Sequence, residues 1–406
     1  MKRPSVFLVF FLLAASCLLL SAPIEAARVE RREGLTLVFL EGAPYELGRQ
    51  HGELLKDQVR ESVGRLLGYF RAYLKFPLIN RWAANWWLDR PWHDAMPFLP
   101  REVLDELRGL SEGSGVPLKE LCRLHAIPDR TYACSGFIAW GKATADGRLI
   151  HTRNLDWNIG IGIQRHAAVF VVRPEGKQAF VSMGWAGLIG VLTSVNEEGI
   201  SIGQIGAETA DRSCRGLPMT FLMRKVLEDS TGLDQAVALI TDATRTVGVN
   251  YLIADAKTGR GAAIETTHRR SAVFEANDPK ERQVAYARPM ADVVLRADTA
   301  GDPAIRNRQS ASGGKPNQPG LEPPTGSAYE VRYLKQHEGL AAHYGRIDAE
   351  AAQEIMRSVA PDSNVQSVVF AWPQAWVANA QEITPAAQTT YHELNLKELL
   401  EGVTRR

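Results

Sequence analysis

Apolar and polar positions alternate along this chain in two rhythms, and the exchange between them sets out the elements. Residues 35–41 read as a strand that ends in the turn Gly42-Ala-Pro-Tyr45. From Glu46 to about Leu74 the residues Leu47, Leu54, Leu55, Val59, Val63, Leu66 and Leu67 recur at helical spacing. Gly48 and Gly52 fall in the first turns of that helix, each at a cost of roughly 1 kcal/mol in propensity. Close packing on a neighbouring backbone is the expected reason. Residues 101–110 give an amphipathic helix broken by Gly113-Ser-Gly-Val-Pro117, and Pro117 opens a helix at its first position that runs to His125. A hairpin is expected at 168–173 and 178–183. Gly-rich strands follow through 185–203, and a strand at 247–255 pairs with 263–265. Helical patterns at 219–229, 232–243 and 347–359 interleave with strands near 366–371, 375–380 and 390–395. This order predicts an α+β fold.

The first 27 residues carry a different signal. Lys2 and Arg3 precede an apolar run from Val6 to Leu20, and small residues follow at Ala22, Ala26 and Ala27. The run is about 15 residues, short of the roughly 20 a spanning helix needs, so it reads as a cleaved export signal with no other membrane span behind it. The chain is therefore expected to be periplasmic or extracellular. Leu13-Ala-Ala-Ser-Cys17 also resembles a lipoprotein box, which leaves anchoring at Cys17 as the alternative. The chain has 47 basic and 46 acidic residues for a net charge of +1, a balance that argues against a nucleic-acid footprint. Nine histidines are scattered without ligand spacing, so no metal or cofactor is expected. After loss of the signal Cys122, Cys134 and Cys214 remain. An odd number leaves at least one thiol unpaired, with Cys122–Cys214 either bridged or simply buried.

Chemistry concentrates at Cys134. Ala133-Cys134-Ser135 opens a β-rich stretch, Asp146-Gly147 is a turn signal between two apolar runs, and the return strand ends Arg153-Asn-Leu-Asp156-Trp157. A thiol beside a guanidinium and a carboxylate suggests a nucleophile, because a nearby cation favours the thiolate. A two-residue turn at 146–147 would set Asp156 opposite Phe137, a mismatch of roughly 10 Å from Cys134. An irregularity is therefore predicted: a bulge near Gly136 or Gly141, or a wider turn.

These residues resemble the autoproteolytic C45 family, the penicillin acyltransferase-like N-terminal-nucleophile (Ntn) hydrolases, and more distantly the acid ceramidases and bile-salt hydrolases. The segment from Glu46 is similar to the start of that family as well. The resemblance implies a four-layer αββα sandwich. It also implies cleavage between Ala133 and Cys134, giving an α chain from about residue 28 to 133 and a β chain from 134 to 406, with further oligomerisation left open. Cys134 would then be an N-terminal nucleophile whose own α-amine accepts the thiol proton; a free α-amine has a pKa near 7.7–8. Arg153 would support the thiolate or a substrate oxygen, and Asp156 would orient the amine. Apart from the resemblance, Asn250 reads either as a donor to an oxyanion or as a structural asparagine. Ala133 departs from the glycine common before the nucleophile. The Thr-Asn pair expected past residue 265 is missing from 286–296, with Asp292 or Asn250 as substitutes.

Several residues keep two readings. The Trp- and Pro-rich stretch 76–100 is either an acyl-binding wall or helix packing, and 301–326 is either a lid or a disordered loop. His125 is read as structural. The function expected is a self-processing cysteine amidohydrolase or acyltransferase acting on a linear amide of a small molecule. The alternatives are a ceramidase-like hydrolase of lipid amides and a non-catalytic exported binding protein.

Overall fold

The computed structural model describes residues 27–73, 80–129, 133–207, 209–306, 310–311, 315–316 and 328–402. The expected export signal with Cys17, and most of the 301–326 loop, lie outside the described residues. In chain order the strands are β1 (Arg28–Arg32), β2 (Leu35–Gly42), β3 (Ala133–Ala139), β4 (Ile150–Asp156), β5 (Ala167–Pro174), β6 (Phe180–Trp185), β7 (Thr193–Asn196), β8 (Ile200–Gly206), β9 (Val249–Asp255), β10 (Arg260–Thr266), β11 (Ser271–Phe274) and β12 (Val293–Arg296). A short ribbon, β13 (Ser310–Ala311) and β14 (Lys315–Pro316), precedes β15 (Asn364–Ala371), β16 (Gln374–Asn379) and β17 (His392–Asn395). The helices are α1 (Pro44–Leu54), α2 (Lys56–Tyr73), α3 (Asn80–Ala95), α4 (Arg101–Ser114), α5 (Leu118–His125), α6 (Met219–Asp229), α7 (Leu233–Thr241), α8 (Pro303–Arg306), α9 (Ala328–His343), α10 (Ala349–Val359) and α11 (Leu396–Glu401).

Two sheets lie face to face. The larger runs β1-β2-β5-β6-β7-β8-β9-β10-β11 and the smaller β12-β3-β4-β15-β16-β17. Strands β3 and β4 pack on β8 and β9, while α6 and α7 cover the outer face of the large sheet and α9 and α10 that of the small one. The α+β expectation is borne out, with the four layers in the order helix, sheet, sheet, helix. Period-2 alternation divides the small sheet's residues between two cores. Cys134, Ile138 and Leu155 join the core between the sheets, whereas Phe137, Ala139 and Ile150 join the one beneath α9 and α10.

The segment before Ala133 is not helical alone. Its strand β2 pairs in parallel with β5, from Leu37 opposite Val169 to Gly42 opposite Pro174. The single helix expected over 46–74 is two, parted at Leu55, where φ is −120° and ψ 32°. Helix α4 runs through Gly113 and stops two residues later, at Gly115 with φ 70°, inside the expected break. Pro117 is the residue before α5 rather than its first. The glycines of α1 and α4 explain themselves by contact. A β-carbon on Gly48 would lie 1.8 Å from the Glu106 carbonyl oxygen, and one on Gly109 would lie 2.0 Å from that of Tyr45. The two helices touch backbone to backbone.

The Asp146-Gly147 pair does not make a two-residue hairpin. Residues 140–149 form a wider connection containing a short 3-10 turn, in which the Gly141 N–H donates to the Gly147 carbonyl at 3.1 Å. That width restores the register, so Cys134 pairs with Leu155 and Ala133 with Asp156. Asp292 caps this connection by accepting from the Lys142 N–H at 2.9 Å. It is a turn residue.

Candidate active site

Strand alternation decides what can meet the sulfur of Cys134. On β4 the side chains of His151, Arg153 and Leu155 share the face turned to the large sheet, and those of Thr152, Asn154 and Asp156 turn to the helices. His151 Nδ1 accordingly meets the Ser201 hydroxyl at 2.8 Å on β8, while Asn154 donates to the Met356 carbonyl at 2.9 Å on α10. Opposite partners in an antiparallel pair project to one side, so Cys134 shares its face with Leu155 and, one step along, Arg153.

Arg153 is held as a fixed fork. Its Nε donates to the Gln204 carbonyl at 2.6 Å, its Nη1 to the Thr193 hydroxyl, and its Nη2 to Gln204 Oε1 at 2.6 Å and to Cys134 Sγ at 3.2 Å. The thiol also faces Gln204 Oε1 at 3.5 Å. Gln204 Nε2 is a buried N–H donor with no hydrogen-bond partner among the described residues. Burial raises the Cys134 thiol to about 12, against the opposing pull of Arg153. The buried sulfur is therefore a neutral thiol at pH 7, and its chemistry requires a base.

The backbone of the same residue meets a second group. Its N–H donates to Asp298 Oδ1 at 2.7 Å. Arg332, on α9, bridges from Asp298 Oδ2 at 3.5 Å to Asp156 Oδ2 at 2.6 Å, and Asn364 donates to Asp156 Oδ1 at 3.0 Å. Two buried carboxylates thus share one guanidinium. Burial raises both, Asp298 to about 8, with Arg332 opposing in each case and the Asp156 charge adding to the rise of Asp298.

The expected residues therefore divide. The structure brings Cys134 and Arg153 into contact. Asp156 is beside Ala133 but reaches the Cys134 cluster through Arg332, and the carboxylate on the Cys134 nitrogen is Asp298. Asn250 is corrected as an oxyanion donor: its Nδ2 donates to the Thr299 carbonyl at 2.9 Å and the Ala297 carbonyl at 3.4 Å. Both of its N–H groups are engaged in holding the segment that carries Asp298. Gln204, Asp298 and Arg332 carry no motif in the sequence, and Asp298 lies two residues past the 286–296 stretch. Cys122 and Cys214 are not joined by a disulfide. Burial holds the Cys122 thiol up, at about 12. His125 is buried and hydrogen-bonded, as a structural histidine should be. Among the described residues no cluster of side chains is arranged to hold a metal ion, and no helix is long and apolar enough to cross a membrane.

Two cavities border β4 beside this centre, and a third lies apart from it. A cleft of ≈ 500 Å³ borders Ala133, Asp156, Trp157 and Asn158. An apolar slot of ≈ 30 Å³ lies among Leu124, Ile127, Leu155, Trp157, Trp185, Leu188 and Leu192. The third, of ≈ 480 Å³, is walled by Trp86, Trp87 and Trp92 with Arg90, and Cys134 is not part of its lining. In the Trp-rich stretch Trp92 is buried, as packing requires, while Trp82 and Trp86 are exposed.

Residues 143–284 match the family model of acyl-coenzyme A:6-aminopenicillanic acid acyl-transferases. That span holds Arg153, Asp156, Gln204 and Asn250, and begins shortly after Cys134. The chain is 26% identical over 268 residues to protein dcd1B of Dictyostelium discoideum, a match covering 60% of this chain and 53% of that protein. It is 25% identical over 208 residues to the acid ceramidase of Rattus norvegicus, covering 45% of this chain and 52% of the relative. The chain thus spans about half the length of the curated relatives it matches. Among solved structures, a Caenorhabditis elegans N-acylethanolamine-hydrolyzing acid amidase ortholog aligns with a TM-score of 0.43 at 15% identity, over 59% of this chain and 92% of that one.

Proposed function

From the premise that this chain is related to the acyl-coenzyme A:6-aminopenicillanic acid acyl-transferases and the acid ceramidases, we propose that it is a self-processing cysteine amidohydrolase or acyltransferase acting on a linear amide. One observation carries the reading: Arg153 grips the sulfur of Cys134 while Asp298 grips its backbone nitrogen. These are the two atoms an N-terminal nucleophile uses.

In the precursor, Sγ attacks the Ala133 carbonyl carbon. The C–N bond breaks as a C–S thioester forms, and the departing Cys134 nitrogen takes up the thiol proton. Water then hydrolyses the thioester, leaving a carboxylate on Ala133 and a free thiol and amine on Cys134. In the mature protein that amine accepts the thiol proton, supplying the base the buried sulfur needs. The thiolate takes the acyl group, the leaving amine receives the proton, and water or a second amine discharges the thioester. Arg153 stabilises the thiolate. Asp298, oriented by Arg332, receives the new amine's N–H groups. Gln204, whose Oε1 faces the sulfur and whose Nε2 N–H is unspent, takes the oxyanion role that Asn250 cannot. The apolar slot behind Leu155 and the acid ceramidase relationship favour an apolar acyl group, and export through residues 1–27 belongs to the same proposal.

The test is the mass of the purified protein. Two chains are expected, the second beginning at Cys134, together with an intact chain in Cys134→Ala. Turnover of N-acyl amino acids, β-lactams or ceramides should vanish in that variant. A wild-type chain that remains whole and turns over none of these would overturn the proposal.

A further inference from the structure

The Gly48-Arg-Gln-His-Gly52 run takes no part in the chemistry above, yet its histidine reaches the active-site half of the molecule. His51 on α1 is 2% exposed, and its Nε2 accepts the Gly187 N–H at 3.0 Å. From α5, His125 does the same two residues further on: its Nε2 accepts the Ile189 N–H at 3.0 Å. Its Nδ1 faces the Leu121 carbonyl at 2.8 Å, which can only accept, so the proton sits on Nδ1 and the lone pair on Nε2. Arg224 on α6 completes the grip by donating to the Ile189 carbonyl at 2.9 Å, itself paired with Glu106 on α4 at 2.7 Å. Two imidazoles and a guanidinium thus hold both ends of one residue and the N–H of another.

The connection they hold, residues 186–192 between β6 and β7, reaches the residues that flank the sulfur. Leu188 and Leu192 line the apolar slot with Leu155. The Leu192 carbonyl accepts the Gln204 N–H at 3.4 Å, and Thr193 takes a hydrogen bond from Arg153. The slot's ≈ 30 Å³ has room for about two groups the size of a water. A larger acyl end enters only if Leu188 or Leu192 gives way. Burial lowers His51 to about 3 and His125 to about 4, so both remain lone-pair acceptors at neutral pH.

We infer that His51 and His125 are positioning residues of the acyl slot, fixing the 186–192 connection from the segment that precedes Ala133 and thereby setting the size of the apolar acyl group delivered to Cys134. This rests on the reading of Cys134 as the acyl-accepting nucleophile. It also requires the α chain to remain in place after cleavage, because both imidazoles belong to it.

Two measurements on the full chain test this. The first, amide hydrogen exchange in a Cys134→Ala background, needs no activity. His51→Ala and His125→Ala should each speed exchange at residues 186–192 by about tenfold or more, and the Gln variants, whose Oε1 can replace Nε2 as acceptor, should restore protection. The second is kinetics with N-acyl amino acids from acetyl to dodecanoyl. In the Ala variants KM for the preferred acyl length should rise by about tenfold, more than kcat changes, and the preference should move to longer chains. Leu188→Ala, which enlarges the slot and leaves the grip intact, should move it the same way. Unchanged exchange in the Ala variants would overturn the grip. An equal fall in kcat at every acyl length, or an unmoved profile in Leu188→Ala, would overturn the role in acyl selection. Failure of the nucleophile reading appears separately, as a wild-type chain uncut at 133–134.

Discussion

The buried imidazoles make a quantitative demand on acid stability. His51 and His125 have an ordinary value of 6.5 and are lowered by burial to about 3 and about 4, with Arg224 adding to the effect in both. The unfolded chain takes up protons on these residues below pH 6.5 and the folded chain does not. Their contribution is therefore complete above pH 6.5 and is lost as pH falls toward 4 and then 3. At pH 5 each group lies 1.5 pH units below its unfolded value, so each costs about 2 kcal/mol and the pair about 4 kcal/mol relative to neutral pH. Asp298, raised to about 8, works in the opposite direction, gaining stability as pH falls from 8 toward 4, so total stability is the wrong observable. The difference between variants isolates the imidazoles. Urea unfolding of Cys134→Ala and of the same chain carrying His51→Gln and His125→Gln, followed from pH 7.5 to pH 5, should show the parent losing about 4 kcal/mol relative to the variant. A difference that stays flat, or that moves in the parent's favour as acid is added, would refute the assignment of both rings as neutral acceptors.

Three further outcomes follow from the contacts. Gly109→Ala drives a methyl to 2.0 Å from the Tyr45 carbonyl oxygen and should lower stability by about 2 kcal/mol despite its better helix propensity, whereas Gly64→Ala, with nothing within 4 Å of the added carbon, should raise it by up to about 1 kcal/mol; thermal melts compare the pair. Arg332→Met leaves Asp156 and Asp298 buried without their shared cation and should cost about 3–5 kcal/mol. The loss should be smaller at pH 6 than at pH 8.5, because orphaned carboxyls recover by binding protons, and urea titrations at the two values check the sign. Arg153→Lys keeps the charge but cannot reproduce a fork that meets Gln204, Thr193 and the sulfur together. Acyl turnover should fall by about 10²-fold or more with self-cleavage slowed in parallel, read by peptide mass against time. An unchanged rate would remove Arg153 from the site.

What the sequence disclosed was what lies close in the chain. Cys134 and Arg153 sit on neighbouring strands joined by one short connection, and their residue types already suggest a supported thiol. Alternation along 150–156 sets Asp156 on the face opposite Arg153 and the sulfur, and the carboxylate on the Cys134 nitrogen is not drawn from that strand. It comes from Asp298, far along the chain and inside Arg296-Ala-Asp-Thr299, a stretch with no periodicity or turn chemistry to mark it. Gln204 and Arg332 are equally silent, a polar residue in an apolar strand and a helical residue that is one of the chain's many arginines. Asn250 looked like a donor because its type fits, but only the fold shows its hydrogens directed at the Ala297 and Thr299 carbonyls. Strand β1 was missed for another reason. Arg28-Val-Glu-Arg-Arg32 has too few apolar positions to alternate, as suits a charged sheet edge that must repel further strands.

The parallel partnership of β2 with β5 has a bearing on what breakage at Ala133 can do. The first two strands of the large sheet belong to the upstream piece, so hydrolysis of that peptide bond would produce a nicked body rather than two separable fragments. The pieces should travel together through gel filtration and part only in denaturant. A gel of the boiled sample and a column run of the native one would therefore give opposite answers about how many molecules are present.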